Sequence, residues 1–574
     1  MQSQQNDTSQ DFPLASRPWI QGYNPGVTRD VPLSDTSLSH LMEQAVRDAP
    51  DAVALDFFGA TTTYRQLGDD IRRVAEGLRR AGVQAGDRVA IILPNCPQHV
   101  VAFYAAFRLG AVVVEHNPLY TSAELRHMFE DHGAKVAIVW DKALQNVLDL
   151  PGDVRPTTII SANLIEAMPT LMRTALKLPV KRLRESREKL EGSVHARGII
   201  SWKQLLKNEQ IDPHHHRPTA HDIAILQYTS GTTGKPKGVI LTHRNLESNA
   251  RMGEAWIQPQ GNNVIYGVLP LFHAYGLTLG LTISVLIQAR LVLFPTVDIN
   301  LILKALKKTT PTILPAVPPV YRKLLDQAKA ENKTDLLNGI NYGVSGAMNL
   351  PPELVEEWES YTGGFLVEGY GLTECSPIVS CNPLSKKRRA GSIGLPFPST
   401  DLRIVDPDTL EDLPLGVAGE LLVKGPQAFR GYWKLEEETR KSITADGWLR
   451  TGDIVTMDDA GFLYVVDRIK EVIITGGFNV SPTEVETALK QHDSVSDAAV
   501  VGLPAPGGGE EVVAAIILSE GYALDPEELK EHMRSRVTRY KVPRRFIAFD
   551  EDFPRTMLGK TQRRLVRQKL EDKK

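Results

Sequence analysis

The strongest constraint on this chain is an alternation in its first third. In "TYRQLGDDIRRVAEGLRRAG", Thr63 and Gln66 are spaced as a capping box, and Leu67, Ile71, Val74 and Leu78 share one face of the helix they open. "DRVAIILPN" follows as an apolar, β-branched strand, "CPQHVVAFYAAFRLG" as a helix stopped near Gly110, and "AVVVEHN" as a further strand. Thr121 and Glu124 repeat the capping pattern for a helix ending at Gly133, and "AKVAIVW" supplies the next strand. Strand, helix and strand in this order, with strands apolar throughout, require a parallel sheet covered on both faces. The fold class is α/β.

A chain of 574 residues exceeds one core, and the pattern changes near Arg468. From there short strands alternate with short helices up to a basic C-terminus, as in a small α+β domain of about 100 residues. The balance of 42% hydrophobic and 24% charged residues, with net charge −3, gives no reason to expect nucleic acid as a partner. Cys96, Cys375 and Cys381 are too few and too scattered for a disulfide framework or a zinc site, which fits a reducing, cytoplasmic setting. "MQSQQNDTSQDF" lacks a basic start and apolar core, and the most apolar stretch, Gly276 to Ile287, is too short to span a bilayer. No integral membrane segment is expected.

Between Pro151 and Val194 the character shifts again. Leu164, Met168, Leu171, Met172, Ala175 and Leu176 fall at helical spacing, and seven Lys or Arg lie between Leu171 and Leu190 against Glu185 and Glu188 alone. Pro169 and Pro179 interrupt any continuous helix. Two readings stand for residues 164–190: a helical excursion packed on the body with a solvated basic face, or a weak peripheral contact with anionic membrane. The three histidines at 214–216 cannot converge on one ion and read as loop surface.

"YTSGTTGKPKG", from Tyr228 to Gly238, holds three glycines, four Ser and Thr hydroxyls and two lysines. "IAILQ" before it reads as a buried strand, and Thr242 after it is placed to cap a helix. Glycine lets successive N–H groups approach one anion, while Thr229, Ser230, Thr232 and Thr233 add donors and Lys235 and Lys237 add charge. A polyphosphate ligand follows. The spacing is not the Walker pattern, and in "RTMLGKT" Pro554 stands where that pattern needs its first glycine. Further polar, glycine-bearing stretches end apolar runs: "GVSGAM" with Gly346, suited to a flat ligand such as adenine; "EGYGLTEC" with Tyr370, Thr373 and Glu374; "DGWLRTGD" with Asp453, suited to ribose hydroxyls.

Together these stretches resemble the adenylate-forming superfamily of acyl-CoA synthetases, luciferases and peptide-synthetase adenylation domains. "YTSGTTGKPKG", "LPLFHAYGL", "EGYGLTEC", "GELLVKGPQ", "WLRTGD", "DRIKEVIITGGFNVSPTEVE" and "FPRTMLGKTQRR" follow in that family's order and spacing. "EGYGLTECSPIVSCNP", "GSIGLPFPST" and the basic insertion most resemble bacterial long-chain fatty acid–CoA ligases. The resemblance implies an N-terminal AMP- and acyl-binding body, residues 1–469, and a mobile lid, residues 470–574, hinged near Lys470. It implies that Thr229, Ser230, Gly231, Thr232, Thr233, Gly234, Lys235 and Lys237 contact ATP, with Gly346, Gly369, Tyr370, Gly371 and Thr373 about the nucleotide. Thr232 and Glu374 would hold Mg²⁺, and Asp453 and Arg468 the ribose. His273 would border the acyl pocket (a packed core histidine is the alternative), Gly477 would face the pantetheine of coenzyme A, and Lys560 would serve the first step. Cys375 and Cys381 read as packing rather than nucleophiles, since nothing near them lowers a thiol pKa.

The chemistry accounts for these residues. A carboxylate is a poor electrophile, so it first attacks the α-phosphate of ATP to give acyl-AMP and pyrophosphate, a step helped mainly by charge neutralisation and positioning. The thiol of coenzyme A then displaces AMP. The expected substrate is a medium- to long-chain fatty acid, with the apolar run Leu277 to Ile287 available to line its tunnel. Rival readings are another acid–CoA ligase, an acyl-AMP ligase feeding a carrier protein, a light-emitting enzyme, and a non-catalytic acyl- or nucleotide-binding protein. The presence of Lys560, Glu374 and Asp453 argues against the last. The oligomeric state is left open, with a homodimer among the options.

Overall fold

The computed structural model describes residues 14–194, 196–230, 236–347, 350–468, 473–476, 478–480, 482–505, 509–554, 561 and 563–572; at 230, 466–468, 479, 483 and 564 only the backbone is described. Lys560, Gly477, Lys470, Gly231, Thr232, Thr233, Gly234 and Lys235 lie outside the described residues.

The alternating first third supplies four strands of an eight-stranded sheet. Its order is Gly431–Tyr432, Pro236–Thr242, Ile223–Ser230, Val112–Glu115, Arg88–Ile92, Val136–Trp140, Thr158–Ala162 and Ile200–Ser201. The six strands from Ile223–Ser230 onward in that order pair in parallel, and the two at the other edge pair antiparallel. The helix Tyr64–Arg80 opens on the Thr63–Gln66 capping box and buries Leu67, Ile71, Val74 and Leu78. Thr121 and Glu124 form the second box, opening Ser122–His132. Each buried aliphatic side chain contributes about 1.5–3 kcal/mol, so these stripes fix which helix face meets the sheet.

A nine-stranded mixed sheet lies beside the first. It runs from Leu395–Pro396 through Ile378–Cys381, Phe365–Gly371, Tyr342–Ser345, Ile313–Ala316, Val264–Gly267, Arg290–Leu293 and Val53–Phe57 to Ala60–Thr63. Asp401–Val405, Gly419–Lys424, Leu449–Met457 and Leu463–Arg468 make an antiparallel sheet of four. The C-terminal segment carries the hairpin Ile473–Thr475/Phe478–Val480 and the sheet Val495–Pro504, Glu510–Leu518, Arg545–Ala548, with a separate apolar cluster on each side of that sheet.

Residues 164–190 do not form one amphipathic helix. A 3-10 turn, Leu164–Ala167, gives way at Pro169 to the helix Thr170–Ala175, and Lys181–Leu190 follows Pro179. Leu164, Met168 and Leu176 are buried, whereas Leu171, which shared their helical spacing, is 83% exposed. Trp140 Nε1 and Lys142 Nζ donate to the carbonyls of Leu190 and Glu188, docking the excursion on the body. The histidines at 214–216 lie in a surface loop, where the carbonyls of His215 and His216 accept from Arg108. Among the described residues no helix is long and apolar enough to cross a membrane.

Candidate active site

Both flanks of the glycine-rich stretch lie on paired antiparallel strands. Tyr228 pairs with Gly238, Thr229 with Lys237 and Ser230 with Pro236, so residues 231–235 join the ends of two sheet-anchored strands. Lys237 is buried and already engaged: its ammonium pairs with Glu438 and lies 5.3 Å from the centre of the Tyr432 ring. The Tyr432 hydroxyl donates in turn to Glu374 Oε1 at 2.7 Å. Neither Tyr432 nor Glu438 carries a sequence signal; they reach the site on the short strand Gly431–Tyr432 and the helix Glu436–Ser442 behind it.

A cavity opens between the nine-stranded sheet and the helix His243–Ile257. One end is polar backbone: residues 344–347 at the end of one strand and just past it, and 369–373 at the same place on its neighbour, including Gly346, Gly369, Tyr370, Gly371 and Thr373. A Cβ on Gly346 would sit 3.2 Å from the Tyr275 ring and 3.4 Å from the Gly369 carbonyl, so any larger residue would crowd this shelf. The Tyr275 hydroxyl donates to the Val344 carbonyl at 2.8 Å and fixes the ring there. The Tyr370 hydroxyl donates to Asp453 Oδ2 at 2.6 Å, and Asp453 stands opposite Arg468 in the four-stranded sheet.

The other end of the cavity is apolar, with Gly253, Trp256, Ile257, Leu279, Ile283 and Phe397 in its walls. Leu279 and Ile283 come from the run Leu277 to Ile287, whose centre, Thr278–Ile283, is a π-helix between two short α-turns. Such wide turns frequently mark functional sites. Gly253 lets Ile283 approach: a Cβ there would lie 2.5 Å from Ile283 Cδ1.

A second cavity lies between this body and the C-terminal segment. The body contributes Glu115, Asn117, Gln227 and Thr229, and the C-terminal segment Phe478, Glu484, Tyr540 and Lys541. His273 and Thr373 line both cavities and mark where they meet. His273 caps the helix Ala274–Leu277 through its side chain, which accepts from the Tyr275 N–H, and burial lowers its pKa to about 4. A neutral ring follows at physiological pH. Glu115 faces His99 Nε2 at 3.0 Å in full burial, and desolvation raises its pKa. The second cavity carried no sequence signal, because strand ends distant in the chain build it.

The cysteines pack as expected. All three are buried and free, and burial pushes the Cys96 and Cys381 thiols up to about 12. Among the described residues no group of three or more His, Cys, Asp or Glu could hold a metal ion. Glu374 is compatible with Mg²⁺ nonetheless, since that ion takes one or two carboxylates and draws its remaining ligands from phosphates and water. Only Tyr432 bonds to the Glu374 carboxylate among the described residues, at one oxygen.

The profile of the AMP-binding enzyme family matches residues 42–433, and that of the AMP-binding enzyme C-terminal domain residues 484–560. A Bacillus subtilis (strain 168) protein named long-chain-fatty-acid–CoA ligase is 36% identical, over 97% of this chain and 99% of its own length. A protein of the same name from Yersinia pestis is also 36% identical, over 96% and 97% respectively. Among solved structures, the o-succinylbenzoate CoA synthetase of Bacillus subtilis, bound to a product analogue, superposes with a TM-score of 0.75 at 26% identity, over 92% of this chain and 98% of that one. With a polar shelf, an apolar pocket and a second cavity joined at one point, and with these relatives along its whole length, the chain belongs to the AMP-binding enzyme family.

Proposed function

We propose that this protein joins a medium- to long-chain fatty acid to coenzyme A in two steps, using ATP and releasing pyrophosphate and AMP. The observation that carries the reading is the meeting of two cavities at His273 and Thr373, one with a polar and an apolar end, the other reaching the C-terminal segment. Relatives named long-chain-fatty-acid–CoA ligase over nearly the full chain support the same substrates.

In the first step the acid lies along Leu279, Ile283 and Trp256, with its carboxylate near His273. Adenine rests on the shelf about Gly346, held by the backbone around Gly369, Gly371 and Thr373. Asp453 and Arg468 take the ribose, with Tyr370 fixing the Asp453 carboxylate. Thr229, Ser230, Gly231, Thr233, Gly234 and Lys235 hold the phosphates, and Lys237 stiffens the hairpin through Glu438. Thr232 and Glu374 would hold Mg²⁺, which supplies charge neutralisation on the phosphates. The carboxylate oxygen attacks the α-phosphorus and the bond to pyrophosphate breaks, while Lys560 bridges carboxylate and α-phosphate.

In the second step the lid, residues 470–574, has turned about Lys470. Gly477, which precedes the cavity-lining Phe478 in the sequence, then meets the pantetheine. The coenzyme A thiol gives up its proton to solvent, its sulfur adds to the acyl carbon, and the bond to AMP breaks as the carbonyl re-forms. A neutral His273 beside the carbonyl adds no charge to be displaced.

Pyrophosphate release across a panel of acids, with and without coenzyme A, tests the reading. Release with fatty acids and thioester formed only with coenzyme A are expected. A higher kcat/KM for acetate or an aromatic acid than for every fatty acid would overturn the substrate assignment.

A further inference from the structure

Glu124 has two functions in this fold. Its Oε2 accepts from the Thr121 N–H and hydroxyl, both at 2.9 Å, and so caps the helix Ser122–His132. Its Oε1 faces the other way and accepts from three donors of the C-terminal segment: the Thr538 N–H at 2.9 Å, the Thr538 hydroxyl at 3.0 Å and Lys541 Nζ at 3.1 Å. Among the described residues, polar contacts between the body and that segment converge on this one carboxylate. Capping needs one oxygen. The second is committed to an element more than 400 residues away in the chain.

The cluster is buried and continues to the cavity. The Lys541 and Glu124 side chains are 5% and 6% exposed, and Lys541 also meets Glu484 Oε1 at 2.8 Å. The ammonium lies 5.3 Å from the Tyr120 ring centre and 5.9 Å from that of Tyr540. Tyr540 stacks on Phe478, ring centres 4.3 Å apart and 17° from parallel. Phe478 then faces Phe272, His273 and Thr373 across the second cavity. A path of direct contacts therefore runs from Glu124 through Lys541 and Tyr540 to the cavity wall where the two substrates meet. A lysine withdrawn from water this far is tolerated only with its acidic partners in place, so the cluster belongs to one orientation of the C-terminal segment and is broken in any other.

We infer that Glu124 and Lys541 are positioning residues: their ion pair holds the C-terminal segment in the orientation that presents Phe478 to the cavity, and so sets the rate of thioester formation. Neither touches the reacting atoms. The inference rests on the two-step reaction proposed above, and it predicts an asymmetry. Loss of the pair depopulates this orientation and slows the second step, whereas acyl-AMP formation, which uses the other orientation, is spared.

The test uses the full chain with Lys541→Met, Glu124→Gln and Lys541→Arg, each checked for cooperative unfolding. Lys541→Met should slow conversion of supplied acyl-AMP and coenzyme A by a factor within the usual range of conformational coupling, about 5- to 150-fold. It should raise KM for coenzyme A and leave pyrophosphate release within about threefold of the unaltered enzyme. Glu124→Gln, which keeps an acceptor oxygen and the cap, should show the same asymmetry more weakly, and Lys541→Arg should restore much of the second step. Orientation is read without activity. Because the native cysteines are all buried, probes at Gln84→Cys and Glu520→Cys report the distance between body and C-terminal segment. Lys541→Met should broaden that distribution. Equal losses in both steps, no loss in either, or an unchanged distance distribution would overturn the inference. If the unaltered protein makes no thioester, the functional reading falls, and the distance measurement alone still decides the ion pair's role.

Discussion

The Tyr370 hydroxyl and the Asp453 carboxylate meet at 2.6 Å, joining the end of a strand of the nine-stranded sheet to the four-stranded one. Both residues are 8% exposed, so neither group has water as a ready substitute. Tyr370→Phe removes one donor from a buried carboxylate, which costs about 1–3 kcal/mol. Urea unfolding should show that loss, with KM for ATP raised and the fatty acid dependence unchanged.

Chain length should be read by the apolar end of the first cavity. Each buried methylene adds about 0.8 kcal/mol, so kcat/KM should rise with acyl length and then level off when the pocket is full. Gly253→Val would press on Ile283, which already stands 2.5 Å from the nearest position of a Cβ there. The plateau should move to shorter acids in a C8 to C18 series while KM for ATP holds.

Lys560→Ala should damage acyl-AMP formation far more than thioester formation. Loss of one preorganised donor at a developing charge costs about a hundred- to a thousand-fold in rate. The mutant should still convert supplied acyl-AMP with coenzyme A. Comparable losses in both steps, in a folded protein, would count against a rotating lid.

Residues 171–184 leave Leu171, Leu178 and Val180 exposed among Arg173, Lys177, Lys181, Arg182 and Arg184. We propose a weak, reversible attachment of this surface to anionic bilayers, each basic side chain contributing about 1 kcal/mol and losing it with salt. Sedimentation with anionic vesicles should fall when Lys177, Lys181, Arg182 and Arg184 become Glu. Unchanged binding, or none by the parent protein, favours the packed excursion.

Acid should destabilise the body through buried imidazoles. His116 and His243 are 1% and 0% exposed, and burial lowers both pKa values from 6.5 to about 3. The unfolded chain binds these protons below pH 6.5 and the folded chain does not until about pH 3. Stability is therefore full above pH 6.5 and falls as pH drops, by about 3 kcal/mol for each ring at pH 4. Urea midpoints across pH 4–7 should show the slope. His116→Phe, which keeps the stack between Phe129 and Tyr228, should reduce the slope by about half, since His243 still contributes its share.

Much of this protein was legible without its structure because the signals are local. A capping box needs residues three apart, as at Thr63–Gln66 and Thr121–Glu124, and a buried parallel strand needs only an unbroken apolar run such as Val136–Trp140. The same holds for the motif residues, which sit on strand ends and turns whose character is written within a few positions. Helical spacing at 164–176 did not say which apolar residues are covered: Pro169 cuts the period, as its presence implied, and the body buries Leu164, Met168 and Leu176 but leaves Leu171 exposed.

What the sequence determined by itself is therefore the α/β class, the strand and helix order, and the stretches able to meet a nucleotide. Tertiary structure alone decided who partners whom: Tyr432 on Glu374, Glu438 on Lys237, Tyr370 on Asp453, Thr538 and Lys541 on Glu124. Those pairs are separated by tens to hundreds of residues, and a charged or hydroxyl side chain carries no mark of its distant partner. The partner is chosen by burial, which forces each polar group to find a complement only after the sheets have packed.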